Sequence, residues 1–189
     1  MKDLWLPIDI PDLNQIQEEL YQIVNIKQGI TKTHAFSVDE STMIDNCPLF
    51  MDWFLPRKKE KVRLYRFYVT EPYGHLGAHI DGNKFCKVPF GMNIPVANCE
   101  HTYHIFYDCD EENIINELKN GYLAGCVPKD RSLLKEKCRL EITRPYFTRN
   151  DILHSIENNN PTYRVMFTVR WNLHPILYRT IEEVFNFEI

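Results

Sequence analysis

The sequence predicts a mainly β fold with flanking helices, arranged as a double-stranded β-helix, or jelly roll. Three observations lead there. Short strand-like runs recur through the second two-thirds of the chain, Gly, Pro and Asn clusters punctuate them, and aromatic residues, mostly Tyr and Phe, make up 13% of the composition. β-branched and aromatic side chains suit a pleated, half-buried surface, and many short strands with turn signals point to a sandwich or jelly roll.

The elements follow in order. Asp12 to Val24 begins after Pro11 and places Leu13, Ile16, Leu20, Ile23 and Val24 at the spacing of an amphipathic helix. Cys47 to Leu55 is apolar and aromatic, and reads as a short helix or packing strap. Strands are predicted at Val62–Val69, Gly74–Asp81, Met92–Val96 and Thr102–Tyr107, with Asn98–His101 as a hairpin turn between the last two. Asp110 to Leu118 reads as an inserted helix, with Ile114, Ile115 and Leu118 as its buried stripe and Gly121 as its stop. A loop or short helical excursion is predicted from Gly121 to Lys137. Strands resume at Arg139–Thr143, at Ile152–Ile156 after the Asn150-Asp151 turn, and at Val165–Trp171 after the Asn158–Pro161 turn. The tail after Pro175 fits helix or strand equally.

A chain of 189 residues is long enough for one domain with a real core. The boundaries read as an N-terminal helical or irregular extension over 1–60, a jelly-roll core over 61–171 and a C-terminal extension over 172–189. A net charge of −4 gives no general attraction to nucleic acid or anionic membrane. No run approaches the ~20 apolar residues of a membrane helix. Six cysteines with no Cys-x-x-Cys pair, together with acidic residues at Asp3 and Asp9, predict a cytoplasmic protein with reduced thiols. The expected partner is a small-molecule or peptide substrate.

The chemistry concentrates in four residues. His79 and Asp81 stand at i and i+2 of a strand-like run, so their side chains share one face. His154 opens a second apolar run and can supply a third ligand, with the two facing sheets of a jelly roll setting it opposite the pair. Two histidines and one carboxylate around a metal with open positions suit non-haem Fe(II). Arg164 opens the last strand, where Arg164, Met166, Thr168 and Arg170 share one face and Val165, Phe167, Val169 and Trp171 the other. An arginine there can grip a carboxylate with two parallel hydrogen bonds, a geometry lysine lacks. Taken alone, His-x-Asp arises readily by chance; the set carries the weight.

This order resembles the 2-oxoglutarate- and Fe(II)-dependent dioxygenases, whose motif is His-x-Asp, a distant second His and a basic residue shortly beyond. The resemblance spans Arg63 to Trp171 and rests on Gly74-x-x-Gly77-x-His79-x-Asp81 and on His154-Ser-Ile-x-Asn158 followed by Arg164; Asn93-Ile-Pro-Val96 also fits a core strand of the family. It implies that His79, Asp81 and His154 ligate Fe(II) and that Arg164 anchors the distal carboxylate of 2-oxoglutarate. It further implies that molecular oxygen is consumed as a substrate is hydroxylated. A fainter likeness, through a last strand running into His174-Pro175, is to the aspartyl/asparaginyl β-hydroxylase group, and favours a peptidyl or free amino acid over a nucleobase. Two positions depart from the pattern. Arg144–Asp151 stands where many members have a small residue or glycine in a turn, and Met166 stands where Ser or Thr is common.

Secondary candidates are Asn93, whose amide in an apolar strand must find hydrogen-bond partners, and Tyr68, which sits on the face of its strand opposite Tyr65. Both are candidates for co-substrate contact, against plain roles in ladder or core. Arg170 fits an acidic substrate or a salt bridge at the barrel rim, while His101, His104 and His174 read as solvent-facing or packing residues. Two other functions compete: a cupin-like jelly roll that binds a metal or small ligand without oxidation, and a zinc hydrolase. Neither needs a buried cation at Arg164.

Overall fold

A computed structural model of the chain describes residues 4–27, 30–82, 90–119, 122–171, 181 and 185–187. The jelly roll consists of two facing antiparallel sheets. The major sheet orders its strands β1 (Trp5–Pro7), β10 (Tyr146–Arg149), β5 (Phe90–Ala97), β12 (Arg164–Trp171), β3 (Val62–Thr70) and β2 (His34–Val38). The minor sheet runs β4 (His75–His79), β11 (His154–Asn158), β6 (Thr102–Asp108) and β9 (Lys135–Glu141). A separate hairpin of β7 (Ile114–Lys119) and β8 (Tyr122–Pro128) joins the motif strand through the bridge Ile80↔Cys126.

The outer face of the major sheet is covered by helices, and that is where most of the core lies. Helix α1 (Leu13–Lys27) buries Ile16, Leu20, Ile23 and Val24, the predicted stripe. Helix α2 (Glu40–Asn46) starts at Asp39, whose carboxylate accepts from the Thr42 backbone N–H at 2.7 Å. Helix α3 (Pro48–Phe54) takes Pro48 in its first turn, where the missing N–H costs nothing, and buries Phe50, Met51, Trp53 and Phe54. Period-two alternation sends Tyr65, Phe67, Val69, Val165, Phe167, Val169 and Trp171 into this layer. Phe167 is ringed there by Phe50 at 5.4 Å, Phe67 at 4.9 Å and Tyr65 at 6.4 Å.

The opposite face of the same strands points between the sheets and is polar. The register sets Thr70 beside Arg164, Tyr68 beside Met166, Arg66 beside Thr168 and Leu64 beside Arg170. A core would fill that space with hydrocarbon; three arginines there mark a site instead.

Several sequence expectations are corrected. Residues 110–118 form a 3-10 turn, Glu111–Asn113, followed by strand β7. The Ile114, Ile115 and Leu118 spacing fits a helix, but adjacent β-branched residues with a pairing partner in β8 favour the strand. The predicted loop from 121 to 137 holds β8, a 3-10 turn at Arg131–Leu133 and the start of β9; Gly121 lies outside the described residues. The turn at 98–101, with Asn98 and His101 at positive φ, connects two sheets and closes no hairpin. Strands β1, β2 and β10 are not among the predicted strands, and β10 falls within 144–151, where many members of the resembled family have a small residue or glycine in a turn. His174, Pro175 and the tail as far as residue 180 lie outside the described residues.

Candidate metal centre

His79 ends β4 and His154 begins β11, and the two strands pair antiparallel with these residues directly opposed. The imidazoles therefore meet as cross-strand neighbours within one sheet, with ring centroids 4.5 Å apart. This corrects the expectation that facing sheets bring them together. A ladder fixes the separation more tightly than a gap between sheets can.

Each ring is aimed by its own backbone. The Nδ1 of His79 lies 2.8 Å from the Gly77 carbonyl, and that of His154 lies 2.8 Å from the Ile152 carbonyl. A carbonyl only accepts, so both Nδ1 atoms donate and both Nε2 atoms keep their lone pairs for a ligand bond. Asp81 follows one residue beyond the Ile80 bridge, with its N–H donated to the Asn150 carbonyl at 3.0 Å and Gly82 at φ 88° turning the chain away. Its Oδ1 lies 3.6 Å from His79 Nε2, and its Oδ2 accepts from Arg170.

One ligand atom from each of His79, Asp81 and His154 lies within 4.8 Å of the other two. Small side-chain rotations reach the spacing of about 3 Å that one ion with ~2.1 Å bonds requires. The donor set of two imidazoles and one carboxylate fits Fe(II) with positions to spare. Electrostatics agree. Burial raises the Asp81 pKa, but the neighbouring Arg170 guanidinium outweighs it and holds the group well below the usual carboxylate range. Burial and neighbouring His79 push His154 down to about 4, so its ring is neutral at physiological pH and its Nε2 lone pair is free to meet a metal.

The cavity beside the triad is lined from the major sheet by Tyr68, Thr70, Asn93, Arg164 and Arg170, and from the minor sheet by Leu76, His104 and Ile156. Arg164 is 3% exposed, its guanidinium donates to Thr70 Oγ1 at 3.3 Å, and its Nε is buried without a partner. Among the described residues no carboxylate pairs with it. Asn93 accepts from Thr168 Oγ1 at 2.8 Å. The Tyr68 ring contacts two guanidiniums, Arg66 at 5.3 Å and Arg170 at 5.7 Å. Five of the six residues singled out for the site border this cavity, and the sixth, Asp81, lines a second cleft that His79 also borders.

Two residues to which the sequence assigned no role at the site also border the cavity: His104, read as solvent-facing or packing, and Asn150, read as part of a turn. His104 is 2% exposed, its Nδ1 lies 3.1 Å from the Tyr146 hydroxyl, and its Nε2 is buried without a partner. Burial holds it neutral. Its place in an alternating apolar strand was visible, but alternation alone does not tell a cavity wall from a core. Asn150 is likewise buried with its amide nitrogen unpartnered, and its side chain fills the space a Cβ on Gly91 would need. Asn158 has a structural role, donating to the carbonyls of Glu71 and Thr162 and accepting from Thr102, which pins the turn before β12.

No family profile matches the sequence. No curated protein matches it either. Solved structures do match in fold. The α-ketoglutarate-dependent carbocyclase SnoK of nogalamycin biosynthesis superposes with a TM-score of 0.56 at 12% identity, over 90% of this chain and 80% of that one. HygX of Streptomyces hygroscopicus, with nickel and 2-oxoglutarate bound, gives 0.53 at 8% identity over 96% and 88%. The viral collagen prolyl hydroxylase of Paramecium bursaria Chlorella virus-1 gives 0.52 at 10% identity over 88% and 94%. The fold is the double-stranded β-helix of these oxygenases. No helix among the described residues is long and apolar enough to cross a membrane.

Proposed function

We propose that this chain is an Fe(II)- and 2-oxoglutarate-dependent dioxygenase that hydroxylates a small molecule or a peptidyl or free amino acid. The observation that carries this reading is the His79–Asp81–His154 triad together with the buried, carboxylate-free guanidinium of Arg164 in the cavity that His79 and His154 line. A buried cation without a counter-ion is costly, and a diacid bound at the metal supplies the missing charge. Neither a zinc hydrolase nor a passive metal binder needs one there.

In this reading His79, Asp81 and His154 hold the metal and Arg164 holds the distal carboxylate, with Thr70 orienting the guanidinium. Asn93 and Tyr68 line the co-substrate's flank. Bound Fe(II), with 2-oxoglutarate and oxygen, supplies oxidative decarboxylation to succinate coupled to hydroxylation of a C–H bond. The chain contributes the tautomers of both histidines, the ionised state of Asp81 and a pocket shielded from water. The likeness to the aspartyl/asparaginyl β-hydroxylase group bears only on substrate class, and the His174-Pro175 segment behind it lies outside the described residues.

The test is anaerobic addition of Fe(II) and 2-oxoglutarate to the apo protein. The visible charge-transfer band of the chelate is expected, followed by succinate release on admitting oxygen. Retained zinc binding without that band would overturn the assignment.

A further inference from the structure

We propose that the prime substrate carries a carboxylate, and that Arg66 and Arg131 hold it in a second cleft on the far side of His79 and Asp81. The proposal rests on the dioxygenase reading above and names the substrate class of that site.

The cleft is bounded by Arg66 of β3, by Gly77, His79 and Asp81 of the motif segment, by Glu117 and Val127 of the β7–β8 hairpin and by Arg131. It shares His79 with the co-substrate cavity, so an occupant lies against His79 and Asp81, two of the three residues assigned to the metal. Arg66 projects between the sheets, its Nε is buried without a partner, and the ring of Tyr68 at 5.3 Å is its neighbour. Among the described residues neither Arg66 nor Arg131 forms an ion pair with a carboxylate. Arg131 reaches in from the 3-10 turn, and its Nη2 lies 2.7 Å from where a Cβ on residue 77 would be. The absent side chain of Gly77 therefore makes room for a guanidinium beside the motif strand.

Charge accounting points the same way. Four guanidiniums, Arg66, Arg131, Arg164 and Arg170, border the two spaces, which share Leu76 and His79 as walls, against the carboxylates Asp81 and Glu117. An Fe(II) ion and doubly ionised 2-oxoglutarate cancel each other. Two positive charges remain over the two spaces together; Arg170 holds Asp81 and Arg164 is assigned to 2-oxoglutarate, which leaves Arg66 and Arg131, with Glu117 on the same cleft wall, to take an anion. Planar guanidinium forks match carboxylates in two-pronged geometry; half-burial strengthens the pairing at Arg66, while Arg131 is exposed and adds the second prong from the cleft's rim.

The experiment titrates the anaerobic Fe(II)·2-oxoglutarate protein with N-acetyl-L-glutamate and with its uncharged diamide, reading calorimetric heat and the shift of the chelate band. The acid is expected to bind about 10- to 100-fold more tightly than the diamide, the range of a charge-assisted hydrogen bond. Arg66→Met and Arg131→Met should each erase most of that preference while leaving the chelate band and 2-oxoglutarate affinity unchanged. An end-blocked tripeptide with a central glutamate binding in place of the single amino acid would assign the carboxylate to a peptide. Equal affinity for acid and diamide, no binding of the acid at millimolar concentration, or an unaltered preference in both variants would overturn the proposal. If the chelate band never forms, the dioxygenase reading fails instead, and the same pair of probes on the metal-free protein judges the cleft alone.

Discussion

Arg170 holds the outer oxygen of Asp81 while the inner oxygen faces His79 across 3.6 Å, although the arginine lies 89 positions further along the chain. The pair sets which carboxylate oxygen is offered to a metal. It also places a cation close to where another cation would bind, so orientation and repulsion oppose each other.

Orientation is expected to win. Outer-shell partners of metal ligands typically change affinity by about 10- to 100-fold. Arg170→Met should weaken Fe(II) or Co(II) binding by that order, with Arg170→Lys recovering part of it, as read by metal titration. Tighter binding in Arg170→Met would show that repulsion dominates.

Loss of a ligand and loss of the anchor should separate cleanly. His79→Ala or Asp81→Ala should abolish metal binding. Arg164→Ala should keep the metal and weaken 2-oxoglutarate by at least about tenfold, the lower end for a buried charge-assisted contact. An unchanged co-substrate affinity in Arg164→Ala would remove its assigned role.

The apo protein should lose stability in mild acid. His154 is held at about 4 in the folded chain, and an exposed histidine titrates near 6.5. A depressed histidine contributes stability fully above the unfolded value, and that contribution falls as pH drops from about 6.5 toward 4, by on the order of 3 kcal/mol. Burial depresses His104 in the same direction. Thermal melting of apo protein at pH 7.5, 6 and 5 should show a falling Tm, and a saturating metal should blunt the fall by keeping His154 neutral. A flat profile across that range would contradict the buried, neutral state of both rings.

The aromatic layer behind the site should govern stability without touching its chemistry. Phe167 is fully buried among Phe50, Tyr65 and Phe67. Phe167→Ala should cost about 3–5 kcal/mol in chemical denaturation. Below its lowered melting temperature the variant should bind metal as the parent does, because the side chain points away from the cavity.

What the sequence determined by itself is local. The inner and outer faces of β12 follow from strict alternation, since a pleated strand sends neighbours to opposite sides whatever its partners. The donor chemistry of His79, Asp81 and His154 follows from residue type. The stripe of α1 was legible for the same reason, since 3.6-residue periodicity is a property of the segment alone. Partnership was not legible. Only the tertiary structure decided that His154 sits beside His79 in one ladder, that Arg170 reaches Asp81, that residues 114–119 pair as a strand, and that Arg66 and Arg131 meet at one cleft. Each depends on a hydrogen-bonded or charged partner distant in the chain, and no periodicity within a short window encodes which distant segment that partner occupies.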